Sequence, residues 1–309
     1  MEFSHVPVLF EETISSLRVK PDGIYVDCTA GGGGHAGAVA DRLSPEGRLI
    51  AIDRDPDAIT HLRQKFAGKE NVILVHDNYL NIKNIINTLG FPGADGILAD
   101  LGVSSYQLDA AERGFSFHLD APLDMRMSRE GKSAYDVVNT YGEADLRRIL
   151  YAYGEEKFAP GIAKKIVAAR EKKPIESTLE LAEIVKSGMP AKARREGGHP
   201  ARRSFQAIRI EVNGELENLS QAVENMFEAL KVGGVLSIIT FHSLEDRAVK
   251  TKFREFATGC ICPPEFPVCC CGRTPRGRLL GKPVTAGEAE LEMNPRARSA
   301  RLRSIEKLK

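Results

Sequence analysis

Two hydrophobic rhythms divide the chain. From Ile24 to Leu101, short apolar runs alternate with segments whose apolar residues recur every three or four positions. The runs predict strands over 24–28, 48–53, 72–76 and 96–100, and the segments between them predict helices over 35–43, 56–67 and 82–89. This alternation builds a parallel sheet with helices packed on it. From about Asp109 to Arg203 the strand signal stops, and 144–151, 158–171 and 179–187 carry helical spacing only. That stretch is too long for a loop inside one strand–helix unit, so it predicts an inserted helical domain. Beyond it, Leu216, Leu219, Val223, Phe227 and Leu230 form the apolar stripe of a helix over 215–230, broken by Gly233-Gly234. A central strand is expected at 235–240. A helix over 242–256 follows, with Ser243 as its N-cap, then loop-rich 258–295 and a final strand at 299–308. The expected class is α/β, a doubly wound, mostly parallel sheet with an inserted helical domain. The expected limits are 1–108 and 206–309 for the sheet domain, with a Cys-rich loop at 258–272, and 109–205 for the insertion.

The first strand runs into Asp27-Cys-Thr-Ala-Gly-Gly-Gly-Gly-His35, and the second ends in Asp53. A glycine turn after a strand lets a ligand approach bare backbone. An acid at the tip of the second strand accepts hydrogen bonds from the hydroxyls of an adenosine ribose. Gly31, Gly33 and Ala36 can be fitted to the dinucleotide fingerprint, but Asp27 beside the turn would repel a pyrophosphate. It suits the ammonium group of S-adenosylmethionine, so the pattern favours that cofactor over NAD. A tight turn without a ligand is the structural alternative. Asp27, Asp53, Asp77 and Asp100 all sit at or just after carboxyl ends of predicted strands, where ligands bind in such sheets. Four acids on one edge exceed what structure alone requires.

Asp100 opens Asp100-Leu-Gly-Val-Ser-Ser-Tyr-Gln-Leu-Asp109. An acid followed by a tight turn suits transfer of a methyl group to an exocyclic amine. Such an amine is conjugated and a poor nucleophile. Acceptors on its N–H groups, here the Asp100 carboxylate and the Leu101 carbonyl, draw its lone pair toward the methyl group; the remaining work is in-line positioning. Asp100 also suits a purely local role as a cap for the turn. The turn holds no cysteine, which disfavours methylation at C5 of a pyrimidine, because that needs a thiolate. His35 opens the first helix after the glycine turn and suits either a cap or contact with the methionine part of the cofactor. His242 follows the strand at 235–240 and suits either contact with a base or backbone, or filling of the turn.

Composition is that of an ordinary globular chain, 42% hydrophobic and 28% charged with net charge +1, so global charge announces no nucleic-acid partner. Its distribution does more. Between Lys192 and Arg209 stand six basic residues against one acid, and between Arg273 and Lys309 ten against four. Such density is either a solvated face or a set of phosphate contacts. No run approaches the roughly 18 apolar residues of a membrane span, and the N-terminus does not read as a signal peptide; a cytoplasmic protein without a membrane partner is expected. Five of six cysteines fall between Cys260 and Cys271. Cys260, Cys262, Cys269 and Cys271 form two C-x-C pairs that suit a structural zinc or free, oxidisable thiols. Cys28, at a strand end, is expected in the core.

The chain closely resembles the bacterial 16S ribosomal RNA cytosine-N4 methyltransferases. The resemblance is carried by His5-Val-Pro-Val-Leu9, Asp27 through His35, Ala51-Ile-Asp-Arg-Asp-Pro56, Asp100 through Asp109, Glu112-Arg-Gly-Phe-Ser-Phe117, Pro122-Leu-Asp-Met-Arg-Met127, Phe205-Gln-Ala-Ile-Arg-Ile210, Phe241-His-Ser-Leu-Glu-Asp-Arg247 and Asn294-Pro-Arg-Ala-Arg-Ser299. It implies a Rossmann-like methyltransferase sheet and S-adenosyl-L-methionine as cofactor. It also implies a cytosine of the decoding centre as target, on 16S ribosomal RNA or the small subunit. Carried over by position, the cofactor contacts fall on Gly33, Gly34, His35, Asp53, Tyr79, Asp100 and Gln107, with Asp100 also catalytic. Many relatives have phenylalanine at Tyr79, and either ring packs on adenine. Only some relatives hold the cysteine cluster, which implies no part in the chemistry. Substrate contacts are expected from Arg126, Arg202, Arg203, Arg209 and His242, with Arg296 and Arg298 behind them. The competing readings are an RNA- or ribosome-binding factor that uses the pocket for regulation and an NAD-dependent oxidoreductase.

Overall fold

The structure, a computed structural model, describes residues 7–195, 198–263 and 265–309. The motif residues His5 and Val6, together with Glu196 and Pro264, lie outside them. In chain order the elements are α1 (Phe10–Leu17), β1 (Ile24–Asp27), α2 (Gly34–Ala40), β2 (Arg48–Asp53), α3 (Pro56–Lys65), β3 (Val72–His76), α4 (Ile82–Thr88) and β4 (Ala94–Asp100). A helical series follows: α5 (Ser105–Asp109), α6 (Ala134–Thr140), α7 (Glu143–Gly154), α8 (Ala159–Arg170), α9 (Thr178–Ser187), α10 (Arg202–Asn213) and α11 (Leu219–Ala229). The chain closes with β5 (Leu230–Thr240), α12 (Ser243–Ala257), β6 (Gly277–Leu279), α13 (Glu288–Met293) and β7 (Arg301–Lys307). Two compact units result, one of residues 1–102 and 216–309 and the other of residues 103–215. The limits read from the sequence, 109 and 205, fall inside the second unit, because α5 already belongs to it and α10 continues to Asn213.

The first unit holds a seven-stranded sheet in the order β3-β2-β1-β4-β5-β7-β6. Strands β1 to β5 run parallel, and β7 is antiparallel to both of its neighbours. Successive strand residues point to opposite faces, and the two cores follow that alternation. Tyr25, Leu49, Ala51 and Leu98 pack with α1, α2 and α3 residues such as Leu17, Val39 and Leu62. Val26, Ile50, Ile52, Ile97 and Ile238 pack on the other face with Ile82, Ile86, Val223, Phe227 and Phe253. The sheet is thus doubly wound, and the strands read as continuous apolar runs because both faces are covered. Its order reverses between β1 and β4. At such a switch point the connections diverge to opposite faces and open a crevice at the carboxyl ends of the strands.

Elements α1, β6 and α13 lie where none was expected, and two expected ones begin or end differently for reasons the backbone shows. The helix expected over 215–230 begins at Leu219 and yields to β5 at Leu230, before the glycine pair rather than at it. Ala94 pairs with Leu230 and Gly96 with Val235, so the residues between bulge out of register. Gly233, at φ 82°, supplies the left-handed backbone for that bulge. At α12 the N-cap is His242 rather than Ser243, and its ring accepts from the Glu245 N–H.

The second unit is helical. Its core joins Leu146, Ile149 and Leu150 of α7, Ile162 and Ile166 of α8, Leu181 and Val185 of α9, and Phe205 and Ile208 of α10. Gly154 lets α7 and α10 approach, since a Cβ there would lie 2.7 Å from the Arg203 carbonyl oxygen.

The first unit's core generates a stability prediction. Phe227 is fully buried and stacks on Phe256 at 4.1 Å between ring centroids. Phe227→Ala should destabilise that unit by about 3–5 kcal/mol, measured by urea unfolding. A loss below about 1 kcal/mol would mean that the site collapses around the smaller side chain.

Candidate active site

At the reversal of strand order, three carboxyl groups end β1, β2 and β4. Asp27 is 3% exposed, and its Oδ1 accepts from the Thr29 N–H at 3.0 Å. Burial pushes its carboxyl up to about 7. Asp53 accepts from the Gly31 N–H at 2.7 Å and the Asp55 N–H at 2.8 Å, and burial pushes it up to about 6. Asp100 stands well above the usual carboxylate range, first through burial, then through the nearby charges of Asp27 and Glu245. Its side chain keeps 25% of its surface exposed, and among the described residues its Oδ1 has no hydrogen-bond partner. The backbone N–H of Asp100 donates to Thr29 Oγ1 at 2.6 Å, which ties the end of β4 to the turn after β1. Asp77, the fourth acid of the expected edge, is taken locally by the Asn78 N–H and the Asn81 amide.

His35 lies beside these acids. It is 5% exposed, its ring stacks on Phe10 at 5.8 Å, and its Nε2 is 3.9 Å from Asp100 Oδ2, beyond hydrogen-bond reach. Burial pushes it down to about 4, so it is neutral at pH 7. Among the described residues neither ring nitrogen makes a well-formed hydrogen bond, and the Val8 backbone opposes the downward shift. The turn before it is packed by the protein itself. A Cβ on Gly33, at φ 70°, would meet Leu62 at 2.8 Å, and one on Gly34 would meet Pro7 at 2.2 Å. Lys65 donates to the Gly32 carbonyl at 2.9 Å. Tyr79 opens a short 3₁₀ turn after β3 and is half-buried. His242 is absorbed by its cap, with Nε2 3.1 Å from Glu245 Oε1. Glu245 in turn accepts from the Phe241 and His242 N–H groups.

The other expected residues have the following local surroundings. Gln107 is in the second unit, where it forms a capping box with Ser104. Arg126 and Arg209 are there too, each forked onto a carboxylate. Arg126 donates to both oxygens of Asp124, and Arg209 donates to Glu215 through two bonds of 2.9 Å. Arg203 donates to the Glu155 carbonyl at 3.3 Å, and it and Arg202 are exposed at the start of α10. Sulfur atoms of Cys260, Cys262, Cys269 and Cys271 all lie within 4.8 Å of one another. The Arg273 and Ile261 N–H groups pull the Cys271 thiol down to about 6. Cys28 is buried in the core of the sheet. Thr29, Phe10 and Glu245 were not singled out from the sequence. Thr29 carries a signal in its place two residues after Asp27, and Glu245 in its place as a first-turn acid three residues after His242; Phe10 carries none.

The MraW methylase family matches residues 2–308. The chain belongs to it. A ribosomal RNA small subunit methyltransferase H from Clostridium botulinum (strain Kyoto / Type A2) is 54% identical over 310 residues and covers all of both chains. The same-named protein of Brevibacillus brevis is 51% identical over 311 residues, covering 100% of this chain and 99% of its own. Among solved structures, an rRNA methylase from Streptococcus thermophilus is 12% identical with a TM-score of 0.42, covering all of both chains. Family membership makes the carboxyl-rich crevice the natural place to seek methyl-transfer machinery. Among the described residues, no helix is long and apolar enough to cross a membrane.

The raised carboxyls carry a pH consequence. The folded protein holds a proton on Asp27 up to about pH 7, while the unfolded chain releases it near the ordinary value of 3.8. Raising pH through that window therefore favours unfolding. Ligand-free protein should lose stability between pH 5 and pH 8, and Asp27→Asn should lose less over the same interval, read from thermal unfolding curves. Equal losses would show that Asp27 is not strained by burial.

Proposed function

We propose that the protein is an S-adenosylmethionine-dependent methyltransferase that methylates the exocyclic N4 amine of a cytosine in the decoding centre of 16S ribosomal RNA. The observation that carries this reading is the set of raised carboxyls at one sheet edge, Asp27 buried and Asp53 and Asp100 half-buried, with Asp100 Oδ1 making no hydrogen bond among the described residues. Such a crevice fits a ligand that brings positive charge and hydrogen-bond donors, and a nearby cation favours the ionised form of each acid. When bound, the cofactor supplies a methyl group already activated on a sulfonium centre.

The chain's own residues do the rest. Asp53 suits the ribose hydroxyls, and its two backbone donors keep it oriented. Asp27 suits an ammonium group. His35, Tyr79 and the turn at Gly33 and Gly34 are the further cofactor contacts of this reading. Asp100 accepts an N–H of the target amine, which turns the lone pair outward, and receives the proton once the new bond has formed. Thr29 holds Asp100 for this through the 2.6 Å bond to its N–H. Arg202 and Arg203 remain as grips for the RNA backbone, because Arg126 and Arg209 already hold carboxylates. A base in structured RNA must be splayed from its stack to present its amine, so backbone grips are required. The names of the relatives support the ribosomal substrate, and a ribosomal substrate implies work in the cytoplasm. A structural zinc ion at Cys260, Cys262, Cys269 and Cys271 is the second cofactor of this reading and has no step in the chemistry.

Two experiments bear on the roles. Asp100→Ala should abolish most methyl transfer to undermethylated small subunits, by about 10²-fold or more in kcat, while calorimetry shows a smaller loss of S-adenosylmethionine affinity. Affinity falling in full proportion to rate would leave Asp100 a cofactor ligand only. No methyl transfer by the intact protein to any ribosomal RNA, with the cofactor bound, would instead favour a regulatory binding factor.

Replacing Arg202 and Arg203 by Ala should raise the apparent KM for the ribosomal substrate and flatten its salt dependence, because fewer counterions are released. Cofactor affinity should stay unchanged. A wild-type salt slope in the double variant would return this pair to a solvated face.

A further inference from the structure

Between the end of α12 at Ala257 and the start of β6 at Gly277, residues 258–276 contain no helix or strand among the described residues. The excursion is pinned where it returns. The Arg276 N–H donates to the Phe256 carbonyl at 2.8 Å, and the Arg276 guanidinium lies over the rings of Phe227 and Phe256 and pairs with Glu224 at 2.8 Å. Within the excursion the apolar side chains face water. Ile261, Phe266 and Val268 are 56%, 53% and 74% exposed. A segment that buries so little cannot be held by hydrophobic packing.

What the segment does bring together is sulfur. Cys260, Cys262, Cys269 and Cys271 converge within 4.8 Å, and two of the separations are 3.6 Å (Cys269 to Cys271) and 3.7 Å (Cys271 to Cys260). Metal–thiolate bonds of about 2.3 Å in a tetrahedron give sulfur–sulfur edges of about 3.8 Å. Disulfide sulfurs would be bonded at about 2.05 Å, and all of these cysteines are free thiols. Backbone N–H groups of Ile261 and Cys270 point at the sulfurs of Cys271 and Cys262 at 3.5 and 3.4 Å, as donors that spread thiolate charge do around a metal. The fifth cysteine stands outside: the Cys270 sulfur faces the Val268 carbonyl at 3.6 Å.

We infer that one zinc ion on these four thiolates stands in for the missing core, and that segment 258–276 is ordered only when the ion is bound. Soft thiolates in a closed set of four suit zinc, which holds tetrahedral geometry without redox chemistry. Binding releases the thiol protons and converts metal affinity into local folding free energy. The inference deepens the zinc assignment above and is independent of the methyl-transfer site.

The test uses the full-length protein purified under reducing conditions without chelator. Metal analysis should find about one zinc per chain, lost in Cys262→Ser and Cys269→Ser but kept in Cys270→Ser. Cobalt exchanged for zinc should show thiolate-to-metal charge-transfer absorption. Arg273 is the sole basic residue between Thr258 and Pro275, so trypsin reports on the segment. Removing zinc should speed cleavage after Arg273 by about tenfold or more, with S-adenosylmethionine binding unchanged. Zinc-free protein, iron in its place, loss of metal in Cys270→Ser, or cleavage indifferent to zinc would each overturn the inference. Unchanged cofactor binding in the zinc-stripped protein keeps these failures separate from any failure of the methyltransferase reading.

Discussion

Carboxyl groups crowded at the end where the sheet reverses its strand order set the terms for the first unit. Asp27 and Asp53 end adjacent strands, Asp100 ends the strand on the other side of β1, and burial disfavours the charged form of all three. Holding them in place takes donors. The turn after β1 supplies two: the Thr29 N–H for Asp27 and the Gly31 N–H for Asp53. Gly31 can present its N–H to the tip of β2 because it adopts φ 49° at little cost. Thr29 then fixes the backbone of Asp100 through its hydroxyl. The glycine turn and the acids are therefore one device. It leaves the protein with acceptors that have more capacity than the chain fills, which is what a cationic, hydroxyl-bearing ligand needs.

Much of this was legible because the controlling signals are local. Each parallel strand is a short apolar run, and each acid stands at its end, so position in the run reports position in the sheet. The helical insertion was legible from the loss of strand periodicity, although its limits were not, since α10 carries its apolar spacing through Arg203 without a break. The parts that escaped depend on register and on distant contacts. Phe10 meets His35 only because α1 packs beside α2. Glu245 reaches the field of Asp100 only because β4 and β5 pair with Asp100 opposite Ile239. His242 displaced Ser243 as a cap because its ring nitrogen accepts the Glu245 N–H, a role that short polar side chains usually fill.

The basic residues show why counting charge is weaker evidence than locating it. Arg209 looked like part of a cationic cluster, but α10 ends at Gly214 in the left-handed region and the chain folds back. Glu215 is thereby carried onto the guanidinium, with 8% of its side-chain surface exposed. A half-buried, bidentate pair is neutral to a phosphate and costly to open. Arg126 is similarly occupied by Asp124, two residues before it. Exposure and the absence of a carboxylate partner among the described residues, rather than proximity in sequence, favour Arg202 and Arg203 over Arg126 and Arg209.

Two of the excursions the chain makes from its sheet are held by different physics. The first, residues 103–215, is long enough to close its own apolar core, and Leu146, Ile149, Leu150 and Ile166 reach complete burial. The second, 258–276, is far too short for that, because the surface of so small a unit exceeds what it can bury. Its apolar residues stay in water while its thiols converge on one another. A segment that orders its sulfurs and not its hydrocarbon has the composition of a metal-held fold. Pinning Arg276 against Phe227 and Phe256 confines the rest of the loop to a short closed span, which lowers the entropy lost when four ligands gather on one ion.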